Sequence, residues 1–175
     1  FILNPAAGKQ DCTVQLVPQL QQAAVRAGIP VDAVATCKTE YAGHASELTR
    51  QAIEEGAEYI LAVGGDGTVN EIARAMIHSN AILGIIPKGS GNGLARELHI
   101  PMDVKRAIDL IAKGHVTTID CCRANGQVFF CTCGVGFDAF VSLKFAHAGK
   151  RGLLTYLEKT LQESLKYQPE TYELE

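Results

Sequence analysis

Three stretches bring glycines together with polar side chains: Asn4-Pro-Ala-Ala-Gly-Lys9, Gly64-Gly-Asp-Gly-Thr68 and Lys88-Gly-Ser-Gly-Asn-Gly93. The middle one is richest in possible chemistry. Glycines let backbone come close to a ligand, because no Cβ intervenes. Beyond the turn, Val69, Ile72, Ala73, Met76 and Ile77 recur at i, i+3, i+4, i+7 and i+8, the pattern of an amphipathic helix. A helix N-terminus behind a glycine turn offers free N–H groups to an anion. Asp66 does not suit direct contact with that anion unless a divalent cation sits between. Phosphate with Mg²⁺ is therefore the first chemistry these residues support. A structural reading fits the same letters. Thr68-Val-Asn-Glu71 has the spacing of a capping box, with Thr68 as N-cap and Glu71 at N3, and Asp66 then serves as a turn residue. Spacing alone does not choose between them.

The elements that must position these loops are legible. Phe1–Leu3, Tyr59–Val63 and Ile82–Ile86 are continuous apolar runs, each leading into one of the loops. Pro30–Thr36 alternates and reads as a further strand. Between the strands lie helical patterns within Asp11–Ala27, stopped by Gly28, with Pro18 either kinking the helix or in its first turn. Others lie at His44–Glu55, stopped by Gly56, at Leu94–Leu98, and at Val104–Lys113, closed by Gly114. The order βαβαβαβα with apolar strands implies an α/β domain, a parallel sheet covered on both faces. Loops at the carboxyl ends of such strands line one crevice, where ligands bind. The three glycine loops should converge there.

After Gly114 the pattern changes. Val116–Cys122 and Val128–Cys133 are β-rich, and Ala124-Asn-Gly126 is a hairpin signal. Gly152–Tyr167 carries leucines at i+4 steps, an amphipathic helix. We expect residues 1–114 to form the α/β domain and residues 115–175 to begin a mostly β second one. Both ends read as cut strands, so the chain reads as a fragment.

Composition narrows the classes. A net charge of −3 over 175 residues excludes the basic footprint of a nucleic-acid binder. No apolar run reaches the roughly 18–20 residues that span a bilayer, so no transmembrane segment is expected. Six cysteines (Cys12, Cys37, Cys121, Cys122, Cys131 and Cys133) lack zinc-site spacing and read as reduced, buried thiols of a cytoplasmic protein. Gly84–Ser90 has the glycine spacing of a P-loop, but Ser90 stands where the lysine must be. No G-x-G-x-x-G follows the first strand, which removes a dinucleotide Rossmann site.

Taken together, Asn4-Pro5 with Gly8, Gly43-His44-Ala45, Gly64-Gly-Asp-Gly-Thr68 with Asn70-Glu71, Pro87-Lys-Gly-Ser-Gly-Asn92, Ile119-Asp120 and Gly136-Phe-Asp-Ala139 resemble the catalytic domain of the diacylglycerol kinase and sphingosine kinase family, nearest the soluble bacterial lipid kinases. The middle loop alone is shared with NAD kinases and, more loosely, phosphofructokinases. The resemblance implies a three-layer αβα domain of that NAD kinase/phosphofructokinase-like kind, followed by the start of a β-sandwich. It implies ATP and Mg²⁺ in the cleft and phosphoryl transfer to a lipid hydroxyl, diacylglycerol- or sphingosine-like, at a membrane surface. Carried over by position, Asn4, Pro5, Ala6, Ala7 and Gly8 contact the nucleotide, and Thr39 lies at its edge. Gly64, Gly65, Asp66, Gly67, Thr68, Val69 and Asn70 cradle phosphates, and Ser90, usually threonine in the family, reaches a phosphate or the ribose. Asp66 is the metal-side and catalytic carboxylate, with Lys9 and Lys88 as candidate point charges. The family's catalytic base and further metal ligands lie beyond residue 175, so the chain alone is expected to turn over little. Lys144, His147, Lys150 and Arg151 form a basic cluster that either is solvated or touches anionic headgroups. Exposed sheet edges leave a homodimer open. The alternatives are an NAD kinase and a nucleotide-binding regulatory protein without turnover.

Overall fold

The computed structural model describes residues 1–8, 13–137, 139, 140, 171 and 173. The chain divides into two compact units, Phe1–Cys131 and Thr132–Glu175. In the first, the elements run β1 (Ile2–Leu3), α1 (Thr13–Arg26), a 3₁₀ turn (Val31–Ala33), β2 (Cys37–Lys38), α2 (His44–Glu54), β3 (Tyr59–Gly64), α3 (Asp66–Met76), β4 (Ile82–Pro87), α4 (Gly93–Glu97) and α5 (Val104–Ile111). A short hairpin, β5 (Cys122–Ala124) and β6 (Gln127–Phe129), follows. In the second unit, the Phe140 N–H closes one turn onto the Gly136 carbonyl at 2.9 Å.

The four-stranded sheet has the order β2-β1-β3-β4, parallel throughout. Successive strand residues point to opposite faces, and the core divides accordingly. Ile2, Ala62 and Ile85 pack with Ala45 of α2, with Val69, Ile72 and Met76 of α3, and with Leu94 and Ala95 of α4. Their neighbours Leu3, Val63 and Ile86 pack with Leu16, Leu20 and Ala23 of α1 and Ile108 of α5. The result is the three-layer αβα domain the sequence implies. Its chain direction switches between β1 and β3: the first crossover leads from β1 to β2 on one side, and the next returns to β3 on the other. A crevice opens at the carboxyl ends of two strands where such a reversal occurs.

Helix ends follow local chemistry. Gly28, Gly56 and Gly114 take φ of +83°, +85° and +70° and terminate α1, α2 and α5. Asp103 caps α5, its side chain accepting the Arg106 N–H at 3.0 Å. Pro18 lies inside α1, past its first turn.

Three sequence expectations are corrected. Pro30–Thr36 is not a strand. Pro30 leads into the 3₁₀ turn, Val31 is exposed, and β2 begins only at Cys37, where Ile2 offers a partner. The hairpin turns where expected, but its strands are Cys122–Ala124 and Gln127–Phe129 and not Val116–Cys122 and Val128–Cys133. Asn125 and Gly126, at φ +48° and +76°, make a two-residue turn that pairs Ala124 with Gln127. The described cysteines are not buried: Cys121, Cys122, Cys131 and Cys133 are exposed free thiols and Cys37 is half-buried. Among the described residues no helix is long and apolar enough to cross a membrane. Cys12, Lys9, Asp138, the basic cluster of Lys144 to Arg151 and the helix expected at Gly152–Tyr167 lie outside the described residues.

Candidate active site

β1, β3 and β4 each deliver a loop to the same rim. The Asn4 N–H donates to the Val63 carbonyl at 2.9 Å, and the Lys88 N–H to the Gly64 carbonyl at 2.7 Å. These two bonds carry the strand register one residue into the loops. The loops then lock together through side chains. Asn4 Nδ2 donates to Thr68 Oγ1 at 2.9 Å, while Asn4 Oδ1 accepts the Ala6 N–H at 2.9 Å. One side chain thus shapes its own turn and ties it to α3.

Two contacts explain why glycine is needed. A Cβ on Gly64 would lie 2.6 Å from Thr68 Oγ1, so that hydroxyl can fold back onto the turn only above a glycine. A Cβ on Gly89 would lie 2.6 Å from the Gly65 Cα, because the second and third loops cross backbone to backbone. Gly8, at φ +87°, comes close to the third loop as well, with a Cβ there 3.0 Å from the Lys88 carbonyl oxygen.

Asp66 sits at the first position of α3, after Gly65 as N-cap. The helix therefore begins earlier than the capping-box reading places it. Thr68 lies inside the helix, buried, with its hydroxyl accepting from Asn4. Glu71 does not reach back to its own helix start. Its Oε1 accepts the Gly43 N–H at 3.0 Å, and its carbonyl accepts from Ser46 Oγ at 2.8 Å. Gly43, at φ +91°, is the N-cap of α2 and lacks a capping side chain of its own. Glu71 supplies that function from a neighbouring helix, a favourable place for a carboxylate at the positive end of α2.

The Asp66 carboxylate is exposed, yet both oxygens are engaged. Oδ2 accepts the Asn92 N–H at 2.7 Å and Oδ1 the Gly93 N–H at 2.6 Å. Asp66 thereby fastens the third loop. Ser90 lies at that loop's exposed tip. Thr39 is fixed at the carboxyl end of β2, its N–H donating to the Leu3 carbonyl at 2.8 Å. Beyond it, Tyr41 stacks on His44 with ring centroids 4.4 Å apart, and His44 Nδ1 accepts the Glu40 N–H at 3.1 Å. The Tyr41 hydroxyl donates to Glu47 Oε2 at 2.7 Å, which pushes its pKa above the ordinary tyrosine value. His44, the first residue of α2, thus has a structural role, holding the β2–α2 loop. The loops from Asn4, Gly64 and Lys88 come together as expected, with Thr39 beyond the end of the neighbouring strand. Asn92, which no spacing argument singled out, holds the third loop and is buried.

A model of the diacylglycerol kinase catalytic domain matches residues 1–124. The chain belongs to the diacylglycerol kinase catalytic-domain family. It is 33% identical over 131 residues to the diacylglycerol kinase of Staphylococcus carnosus (strain TM300), covering 74% of this chain and 42% of that one. It is 35% identical over 131 residues to that of Staphylococcus saprophyticus subsp. saprophyticus, with the same coverage. The crystal structure of a diacylglycerol kinase from Bacillus anthracis str. Sterne superposes with a TM-score of 0.62 at 30% identity, over 73% of this chain and 46% of that one. The chain thus spans less than half the length of these relatives. Both sequence and fold point to the diacylglycerol kinase family and not to the NAD kinases.

Proposed function

We propose that this chain is the nucleotide-binding part of an ATP-dependent lipid kinase, which transfers the γ-phosphate to the hydroxyl of a diacylglycerol- or sphingosine-like lipid. The observation that carries the reading is the crossing of the Gly65 and Gly89 backbones at the carboxyl ends of β3 and β4, next to the point between β1 and β3 where the chain direction switches. Packing this close leaves a low surface of main chain and small residues, suited to phosphate oxygens. Asn4, Pro5, Ala6, Ala7 and Gly8 would line the nucleotide on one side and Thr39 at its edge. Gly65, Gly67 and Asn70 would face the phosphates, with Gly64, Thr68 and Val69 buried behind them as the support of the cradle, and Ser90 would reach a phosphate or the ribose.

Phosphoryl transfer needs positioning and charge neutralisation more than covalent chemistry. Among the described residues no group of three or more His, Cys, Asp or Glu is placed to hold a metal by itself. A single exposed carboxylate still fits Mg²⁺, which is bound through one or two carboxylates together with substrate phosphates and water. Asp66 spends one lone pair per oxygen on the two amides and keeps the others. Mg²⁺ bound beside it would neutralise charge on the phosphates. Residues 115–175 would begin the second, lipid-binding domain. The enzyme would be cytoplasmic and would meet its substrate at a membrane surface, and a homodimer through sheet edges is compatible with the fold.

The test uses the full-length protein, labelled ATP, and either lipid micelles or NAD⁺. Label in the organic phase supports the reading. Label only in phosphorylated NAD⁺, or ATP binding with no acceptor consumed, overturns it. Asp66→Asn examines the mechanism. The amide's NH₂ would face one of the two N–H groups that Asp66 now accepts, and transfer should fall by more than about 100-fold while ATP affinity changes less.

A further inference from the structure

Asn92 is 7% exposed and takes a left-handed backbone, φ +56° and ψ +48°. Asparagine visits that region at lower cost than most residues. Its side chain clamps the loop it ends: Oδ1 accepts the Gly89 N–H at 2.9 Å, Nδ2 donates to the Gly89 carbonyl at 2.7 Å, and Nδ2 also faces Met102 Sδ at 3.7 Å. Both hydrogen-bonding groups of one glycine are thus held by one amide. A left-handed residue followed by a helical one turns successive N–H groups into a shared concavity for an anion. Here those N–H groups belong to Asn92 and Gly93, and the anion is the Asp66 carboxylate, held at 2.7 and 2.6 Å.

We propose that Asn92 is a positioning residue for Asp66: its side chain holds the left-handed turn, and the two amides that the turn presents fix the orientation of the Asp66 carboxylate. This rests on the lipid-kinase reading above and adds to it. The orientation of Asp66 is set by the third loop, 26 residues away, and not by its own helix. Asn92→Gly keeps the backbone angle accessible but removes the clamp. Asn92→Asp keeps an acceptor for the Gly89 N–H but sets a carboxylate oxygen against the Gly89 carbonyl.

The experiment measures lipid phosphorylation, ATP affinity at equilibrium and the Gly93 amide resonance in the full-length protein and both variants. The expected result is a loss in kcat of about 100-fold, the order that a 1 Å misplacement costs, with the ATP Kd within about threefold of the parent. The Gly93 amide should move upfield in both variants, as it should in Asp66→Asn. A kcat within about threefold of the parent, or a loss in kcat/KM matched by an equal rise in Kd, overturns the proposal. So does a Gly93 resonance that Asn92→Gly leaves in place. If the parent itself phosphorylates no lipid, the kinase reading fails. The resonance then still decides whether Asn92 holds Asp66. Should Asn92→Gly not fold, Asn92→Asp carries the same readings.

Discussion

Asn4 Nδ2 and Thr68 Oγ1 are joined by a 2.9 Å hydrogen bond across 64 residues of sequence. The bond ties the loop after β1 to the first turn of α3, across the reversal in chain direction. Removing it with Asn4→Ala leaves the buried Thr68 hydroxyl without its donor and the Ala6 N–H without its acceptor. The expected loss of stability is about 1–3 kcal/mol, measured by chemical denaturation. ATP affinity should fall with it, because the loop that would line the nucleotide is no longer anchored.

Glu71 and Gly43 give a cleaner comparison. Glu71→Gln keeps an oxygen acceptor for the Gly43 N–H, whereas Glu71→Ala removes it. Loss of a cap costs about 0.5–2 kcal/mol, so thermal denaturation should separate the alanine variant from the parent and place glutamine between them. Equal melting temperatures for all three would remove Glu71 as the cap of α2.

Gly89→Ala tests the crossing of loops. The added Cβ would meet the Gly65 Cα at 2.6 Å and Asn92 Oδ1 at 2.8 Å, and a backbone atom cannot swing aside as a side chain can. Forcing extra volume into such contacts costs about 1–3 kcal/mol. ATP binding, followed by calorimetry, should weaken more in this variant than in Gly67→Ala, where an added Cβ meets nothing within 4 Å.

Asp103→Ala serves as a control away from the rim. It deletes the acceptor of the Arg106 N–H at the start of α5 and should cost about 1 kcal/mol. ATP affinity should stay at the parent value. A matching fall in affinity would mean that overall stability, and not loop geometry, governs binding.

Most of the fold was legible in the sequence because its strongest signals are local. β3 and β4 are continuous apolar runs, the helix stops carry glycines that take positive φ, and Val69, Ile72, Ala73 and Met76 form the buried face of α3. What failed was decided by distant partners. Thr68 and Glu71 have the spacing of a capping box, yet Asn4 claims the first and Gly43 the second, and neither partner is visible in a local window. The alternating letters before Cys37 promise a strand that does not form there. A two-residue strand has no pattern of its own and exists only because β1 lies alongside. At the site, the three loops could be read from glycine spacing. The importance of Asn92 could not, since a left-handed asparagine looks like any other until its two bonds to Gly89 are seen.

The order of the strands also bears on how the domain is reached from the unfolded chain. Ile2 pairs with Cys37 on one side and Ala62 on the other, and no pair in the parallel sheet joins residues nearer in sequence than Tyr59 is to Ile82. Every contact within the parallel sheet must therefore wait for a long loop to close, and loop entropy is lost before any pairing repays it. Until then the apolar runs of β3 and β4 stand uncovered. Refolding should be slow and sensitive to protein concentration, with association of partly folded chains as the competing process.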